Sequence, residues 1–364
     1  MIAQPHLTRA TRSFQGLAPA SPSKVAVLFN ANAKRVNDDC VGMLSGIIPE
    51  DDIFLSRSPL DARRIAQSVL ERGYQTIFCG GGDGTFVYFL NEILNVLKRE
   101  PPVPRKSLPA FGILKLGTGN GLASWIGASP SKNRQFIQDI ERARDNRVPG
   151  RRTLRLLAVD GKLTPFAGLG VDAQILNDYV WFKKSVGRGL LSEVMTGLSG
   201  YVSCAALRTL PHYLIHSTQV SCEVINGPRS PAYRLDEQGR TVGEPIAPGA
   251  PLHCGRVMLA AASMVPYYGF HFKMFPFADK RPGMMHLRLG SVSVPSAVVN
   301  LPKLWQGKWF PQGLQDFHAE EVSIRFHKPM ALQVGGDAEG SRTEIVLSVA
   351  DETVELLDFN PVLH

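Results

Sequence analysis

The 364-residue chain is poor in paired cysteines, in long apolar runs and in acidic charge. Its five cysteines, Cys40, Cys79, Cys204, Cys222 and Cys254, form no C-x-x-C pair and are odd in number. That pattern argues against a thiolate zinc site or a closed disulfide framework and predicts reduced thiols in a cytoplasmic setting. No stretch reaches the ~18 uninterrupted apolar residues of a spanning helix. The longest charge-free runs, Val194–Leu207 and Val257–Phe272, fall short, and Pro266 interrupts the second. Residues 1–23 lack the apolar centre of a secretory signal and read as a flexible basic tail. The nine histidines make no H-E-x-x-H; His212 and His216 stand one turn apart, but Pro211 precedes them and no carboxylate joins them. With 40 Lys+Arg against 32 Asp+Glu, the formal charge is +8, which favours anionic partners: a nucleotide, a nucleic acid or an acidic membrane surface. Without a helix-turn-helix pattern or an interleaved aromatic–basic motif, nucleic acid is not an expected partner. Nothing in the sequence fixes an oligomeric state.

What is present is enough apolar material, 44% of residues, for two cores. Single cores stop growing near ~250–300 residues, so two domains are expected. Residues 24–29, 75–79 and 111–114 read as short buried strands, and 61–72, 85–98 and 133–144 as helices with one apolar face. Pro101, Pro102 and Pro104 break the chain between them. This alternation predicts a parallel sheet with helices on both faces. After Gly150 the pattern changes. Residues 154–159 and 163–167 read as a hairpin turning at Asp160-Gly161, followed by helical stretches at 175–184 and 190–207. Short strands then recur at 219–225, 256–261, 285–289, 321–326, 344–349 and 353–358, with a long loop at 226–251. The expected architecture is an α/β nucleotide-binding domain over 24–150, with 350–364 as a candidate completing segment, and a β-rich antiparallel, sandwich-like domain over 151–349.

The chemistry concentrates in two glycine clusters. Gly80-Gly81-Gly82-Asp83-Gly84-Thr85 lies between a predicted strand and a predicted helix. Successive glycines let N–H groups converge and a ligand approach closely, and the helix N-terminus adds positive partial charge. This is the expected phosphate cradle. Asp83 is its one anionic side chain, suited to holding Mg²⁺ or accepting a proton from an attacking hydroxyl. A plain Asp-Gly turn would not need three successive glycines. Gly117-Thr118-Gly119-Asn120-Gly121 follows another strand. Alone it could be a glycine-rich turn. Paired with the first cluster it would face the same crevice at the carboxyl end of one sheet. No Gly-Lys-Ser/Thr follows either cluster, and Thr85 and Leu122 stand where G-x-G-x-x-G needs its last glycine, so both common nucleotide fingerprints are disfavoured.

With GGGDGT at 80–85, LGTGNG at 116–121, GLGVDA at 168–173 and GGDAEG at 335–340 in this order and spacing, the chain resembles the diacylglycerol kinase catalytic-domain family, which includes bacterial diacylglycerol kinases, sphingosine kinases and ceramide kinases. The resemblance implies ATP-dependent transfer of a phosphoryl group to a lipid hydroxyl in a cleft between an α/β domain and a β-rich lipid domain. It implies ATP contacts from Asn30, Asn32, Gly80, Gly81, Gly82, Asp83, Gly84, Thr85, Gly117, Thr118, Gly119 and Asn120. It makes Asp83 and Glu339 the catalytic carboxylates, Asp172 a contact to the lipid head, and Asp83 and Asp337 the groups near Mg²⁺. The lipid could be diacylglycerol or a sphingoid or ceramide type, met from the cytoplasm at the inner membrane face. Three features depart from the family pattern: Gly121 where an aspartate is usual, Ala338 between Asp337 and Glu339, and Lys280-Arg281-Pro282-Gly283 where some bacterial members carry a metal-binding Asp-Asp-Gly turn. NAD kinase, which shares the Gly-Gly-Asp-Gly-Thr loop, and a non-catalytic lipid- or nucleotide-binding relative are the rival readings.

Two aromatic segments bear on the lipid. Tyr267, Tyr268, Phe270, Phe272, Phe275 and Phe277 crowd into residues 267–277, either as β-core packing or as the wall of an acyl channel. Residues 302–311 are expected to set Trp305 and Trp309 one helical turn apart beside Lys303 and Lys308, as a membrane-interface helix or a packed surface helix.

Overall fold

The computed structural model describes residues 24–33, 35, 36, 40, 42–99, 108–186 and 219–361. The basic tail, the triple-proline break, the apolar run 190–207, Cys204 and the pair His212/His216 lie outside the described residues.

The first unit is a parallel sheet. Strands β1 (Val25–Asn30), β2 (Ile53–Ser56), β3 (Thr76–Gly81) and β4 (Ala110–Lys115) run in the order β4-β3-β1-β2. Helix α1 (Pro59–Arg72) starts where the Ser58 side chain accepts the Asp61 N–H and Pro59 presets the first turn; it stops at Gly73, which adopts φ 64°. The positions read as its apolar face, Ala62, Ile65, Ala66, Val69 and Leu70, are buried. Helix α2 (Asp83–Arg99) buries Phe86, Phe89, Leu90, Ile93 and Leu94 in the same way. The chain passes from β1 to β2 on one side of β1 and then returns to β3 on the other. Right-handed crossovers therefore place α1 and α2 on one face and the segment around Leu44 and Ile48 on the other. Short helix α3 (Gly121–Trp125) follows β4, and α4 (Phe136–Arg144) packs on β1.

The remainder is antiparallel. β5 (Gly150–Val159) and β6 (Lys162–Thr164) turn at Asp160 and Gly161, both with positive φ (48° and 76°), the signature of a two-residue hairpin. β7 (Phe166–Gly170) leads into α5 (Val171–Val186). β8 (Val220–Asn226), β9 (Ala232–Leu235), β10 (Thr241–Ile246), β11 (Pro251–Val257), β12 (Leu259–Ser263) and β13 (Met285–Gly290) come next. Two short helices, α6 (Val294–Val299) and α7 (Leu301–Trp305), precede β14 (Leu314–Ala319), β15 (Glu321–Val334) and β16 (Asp337–Asp358). β16 ties the two parts together. It pairs antiparallel with β15 and with β5, and near its end Leu356 pairs parallel with Phe111 of β4.

Two sequence expectations need correction. The segment 226–251 is an arm of two strands, β9 and β10, and not a long loop. Its prolines, glycines and charges mark the turns, and β10 is exposed along nearly its whole length, so no buried alternation betrays it. Trp305 and Trp309 do not share a helix, because α7 ends at Trp305 and Gly307 takes φ 67°. Trp305 instead stacks on Phe272 at 5.0 Å, and Phe310 stacks on Phe277 at 5.5 Å.

The core of the antiparallel part holds a charged group that the sequence did not announce. Arg288 is fully buried and forks onto Asp316 (2.7 and 2.9 Å), while its third donor reaches the Met274 carbonyl at 2.7 Å. His286 meets the same carboxylate at 2.9 Å. Arg288 and its fork hold Asp316 well below the usual carboxylate range despite burial. Through Met274 the cluster anchors the segment 266–275, whose Phe270 N–H reaches the Gly119 carbonyl. The turn Lys280–Gly283 packs against the β9–β10 arm, with the Arg281 guanidinium 3.8 Å from the centre of the Tyr233 ring.

Candidate active site

The sheet order reverses between β1 and β3, so the loops that leave them diverge to opposite faces and open a crevice at their carboxyl ends. Asn30 bridges it: Nδ2 donates to Thr85 Oγ1 at 3.0 Å, and Oδ1 accepts the Asn32 N–H at 2.9 Å. The Asn32 side chain turns away, to the Arg57 carbonyl.

The first glycine cluster divides in two. Gly80 and Gly81 are strand residues, paired with β1 and β4 or with β4. A Cβ at Gly80 would run into the Phe29 ring, and one at Gly81 into the Thr85 side chain. Their absent side chains serve packing, and the turn that can face a phosphate is Gly82–Thr85, capped by the N-terminus of α2. The second cluster lies against it. A Cβ at Gly117 would overlap the Gly82 backbone, so no other residue lets the loops approach this closely. Asn120, in the left-handed region at φ 51°, spends its side chain inside its own loop: Oδ1 accepts the Gly117 N–H at 3.0 Å and Nδ2 donates to the Gly117 carbonyl at 2.9 Å. Its amide shapes the loop, while Thr118 is half-buried on it.

Asp83 joins the clusters. It is 7% exposed, and its carboxylate accepts the N–H of Gly121 at 2.7 Å and that of Leu122 at 3.1 Å, capping α3. Burial outweighs these two donors and pushes the carboxyl up to about 6. Gly121 is tightly enclosed: a Cβ there would sit 3.1 Å from Gly269 N, 3.2 Å from Asp83 Oδ2 and 3.3 Å from the Tyr267 carbonyl. The space where the family's aspartate would stand is filled by the segment 267–270. That segment docks on the second cluster, the Phe270 N–H donating to the Gly119 carbonyl at 2.7 Å. It does so in a strained conformation, with Phe270 and His271 at φ 49° and 60°.

From the other side comes the turn between β15 and β16. Gly335 and Gly336 (φ 60° and 92°) aim Asp337 at the start of α2, its oxygens 3.5 and 3.7 Å from where a Cβ on Gly84 would stand. Surrounding protein, and next the charge of Glu339, raise the Asp337 carboxyl. Glu339 points elsewhere and is ion-paired with Lys162 of β6. Ala338 is exposed on the turn. Asp172, at the start of α5, accepts a hydrogen bond from the Tyr268 hydroxyl, which in turn accepts one from Gln333 Nε2. Desolvation raises Asp172 against these donors. The structure therefore brings Asp83, Gly82–Thr85, the second cluster and Asp337 together, and sets Asp172 behind the turn that carries Asp337. Tyr268, Gln333, Lys162 and Gly269 were not singled out as site residues from the sequence; only Tyr268 carried a signal, as one aromatic among six. Phe275 and Phe277 of that run are buried core residues. On the opposite face, a cavity of about 440 Å³ opens between Arg35, Met43, Leu116, Lys132, Arg134 and Phe136. Arg35 arches from the β1 loop to the Lys115 carbonyl at 3.3 Å.

Residues 24–149 match the family model of the diacylglycerol kinase catalytic domain. A YegS-like lipid kinase of Cronobacter sakazakii is 30% identical over 136 residues, which cover 37% of this chain and 35% of that protein. One from Serratia proteamaculans is 41% identical over 63 residues, 17% of this chain and 18% of the other. The chain's matches thus span about a third or less of the curated relatives' length. In fold the likeness runs further. A solved structure from Bacillus anthracis, provisionally assigned as a diacylglycerol kinase, superposes with a TM-score of 0.62 at 14% identity, covering 97% of this chain and all of that one. A second diacylglycerol kinase structure from the same organism gives 0.55 at 12% identity over 94% and 99%. Residues 24–149 are thus similar to the diacylglycerol kinase catalytic domain, and the chain as a whole shares the two-part fold of these solved structures.

Proposed function

We propose that this protein is an ATP-dependent lipid kinase that moves the γ-phosphoryl group of ATP to a hydroxyl of a membrane lipid. The observation that carries this reading is the meeting of Asp83 and Asp337, one from each part of the fold, at the single glycine turn Gly82–Thr85. N–H groups of that turn and the start of α2 hold and neutralise phosphate oxygens. Such a transfer needs positioning and charge neutralisation more than covalent chemistry. The basic cavity beside Arg35, Lys132 and Arg134 offers the rest of the nucleotide a place across the switch point.

Asp83 and Asp337 are hard oxygen donors next to the cradle and fit Mg²⁺, which would arrive with the nucleotide, keep several waters and screen the phosphate charge. Asp83, raised toward neutrality, and Asp337 are the two groups that can orient an acceptor hydroxyl or take its proton. Glu339, the acid suggested by resemblance, would have to release Lys162 first. Asp172 would meet the lipid head on the far side of the Asp337 turn. Diacylglycerol and sphingoid or ceramide lipids are the acceptors to try.

The protein would act from the cytoplasm as a peripheral protein at the inner membrane face. Among the described residues no helix is long and apolar enough to cross a membrane. Val298, Val299 and Leu301 stand exposed on α6 and α7 next to Lys303, Val299 being 80% accessible. This knuckle is a better candidate for membrane contact than Trp305, which is occupied by Phe272. The test is transfer from radiolabelled ATP with Mg²⁺ to micelles of diacylglycerol, sphingosine, ceramide or monoacylglycerol, with NAD as a soluble control. A labelled lipid supports the reading; label on NAD alone, or on no acceptor, overturns it.

A further inference from the structure

One polar chain runs behind the site, from the Gly336 turn through Gln333 and Tyr268 to Asp172. The Gly336 N–H donates to Gln333 Oε1 at 2.9 Å. Gln333 Nε2 donates to the Tyr268 hydroxyl, and that hydroxyl donates to Asp172 Oδ2. Its direction is forced at both ends. A backbone N–H can only donate and a carboxylate can only accept, so the Gln333 amide has one workable orientation and the Tyr268 proton one place to go. Gln333 is 1% exposed, and the other Asp172 oxygen, Oδ1, is shielded from solvent and makes no hydrogen bond among the described residues. A buried polar chain of this kind is stabilising only when it is complete, and each bond polarises the next.

The chain joins three pieces that meet at the acceptor side. Gly336 neighbours Asp337, whose carboxylate stands at Gly84. Tyr268 belongs to the segment whose Phe270 N–H is docked on the second glycine cluster. Asp172 opens α5. The fit leaves no slack: a Cβ at Gly168 would collide with the Asp172 carboxylate and lie 2.6 Å from the Tyr268 hydroxyl. The Tyr268 ring is itself held between Phe166 and Phe275, at 4.8 and 5.6 Å between ring centres.

We infer that Tyr268 and Gln333 are positioning residues: Tyr268 occupies Oδ2 of Asp172 and leaves the buried, unpaired Oδ1 as the one carboxylate oxygen with which an entering acceptor hydroxyl would pair, and Gln333 holds the Gly335–Gly336 turn so that Asp337 stays at the phosphate cradle. The two act through other residues and touch no reacting atom. The inference rests on the lipid-kinase reading and assigns the acceptor side of that same site.

The experiment compares wild type, Tyr268→Phe and Gln333→Met in the micelle assay, with KM for lipid, KM for ATP, kcat and melting temperature measured for each. Tyr268→Phe keeps the ring contacts and removes only the hydroxyl. It is expected to raise the lipid KM about tenfold, the loss that follows removal of one hydrogen bond to a carboxylate, with the ATP KM unchanged. Gln333→Met is expected to lower kcat about tenfold with little effect on the ATP KM. Equal lipid KM in wild type and Tyr268→Phe, or both KM values rising together with a fall in melting temperature, would overturn the inference. If wild type labels no lipid, the proposed function fails by itself, and amide hydrogen exchange of residues 335–339 then decides this point. Exchange quickened in Gln333→Met supports the held turn; unchanged exchange refutes it.

Discussion

Asp83 and Gly121 are 38 positions apart in the chain and 2.7 Å apart in space, the Gly121 N–H donating to Asp83 Oδ2. One carboxylate thereby closes two glycine loops into a single structure. Its capping of α3 explains why an acid survives in a place that shields it from water, and its raised protonation range follows from the same burial.

Asp83→Asn should abolish phosphate transfer. Asparagine keeps one acceptor oxygen and loses the other, so the cap weakens by about 1 kcal/mol and the fold persists. Circular dichroism and melting together with the micelle assay separate the two effects. Full activity in this variant removes Asp83 from the mechanism.

Gly121→Asp, which restores the residue usual in the family, should harm this protein. Its Cβ would press on the Gly269 and Tyr267 backbone and set a second carboxylate beside Asp83. Overpacking of this kind costs about 1–3 kcal/mol, and chemical denaturation would read it. A variant as stable as wild type would mean that the 267–270 segment moves aside freely.

Asp337→Asn should reduce turnover more than Glu339→Gln, because Asp337 faces Gly84 whereas Glu339 is paired with Lys162. Comparing kcat and kcat/KM for the two variants tests the order. A larger loss at Glu339 would show that the Lys162 pair opens during turnover and that Glu339 is the acting acid.

His318 should make the fold less stable as pH drops from 6.5 to 4, a contribution that the raised carboxyl of Asp83 opposes over much of the same range. Burial, opposed by the bond from Nε2 to the Phe277 carbonyl, pushes His318 from its usual 6.5 down to about 4. In that window the unfolded chain binds a proton that the folded one refuses, so the contribution is whole above 6.5 and is lost as pH drops. Buried His286, also lowered, acts in the same direction. Urea midpoints of wild type and His318→Gln at several pH values isolate it: the midpoint of wild type relative to the variant should drop as pH falls from 6.5 to 4, and a constant difference would remove His318 from the pH dependence.

Removing the Arg288 side chain as Arg288→Met should destabilise by roughly 3–5 kcal/mol, since it strands Asp316 in the core. It should also loosen the 266–275 segment through the lost bond to the Met274 carbonyl. Thermal melting checks the first, and limited proteolysis near residue 270 the second.

Much of the fold was legible because it rests on local rules. The apolar faces of α1 and α2 follow helical spacing, and the Asp160-Gly161 turn carries residues that accept positive φ. The strand-glycine-helix order also marked the two loops that pack against each other, since only glycines allow them to lie as close as Gly82 and Gly117. The β9–β10 arm was hidden because an exposed strand has no buried alternation to read.

The use of each side chain was decided by tertiary structure alone. Asn120 and Asp83 are equally polar in the sequence, but one folds back on its own loop and the other reaches a helix 38 residues on. Asp337 and Glu339 are two positions apart, and the turn sends one to the cradle and the other to Lys162. Gln333 and Tyr268 meet Asp172 only because β15, the 267–272 segment and α5 converge there. Glycine spacing and helical periodicity are local and survive in one dimension. Hydrogen-bond partnership depends on which distant backbone arrives at a few ångströms, and the fold of the whole chain supplies that.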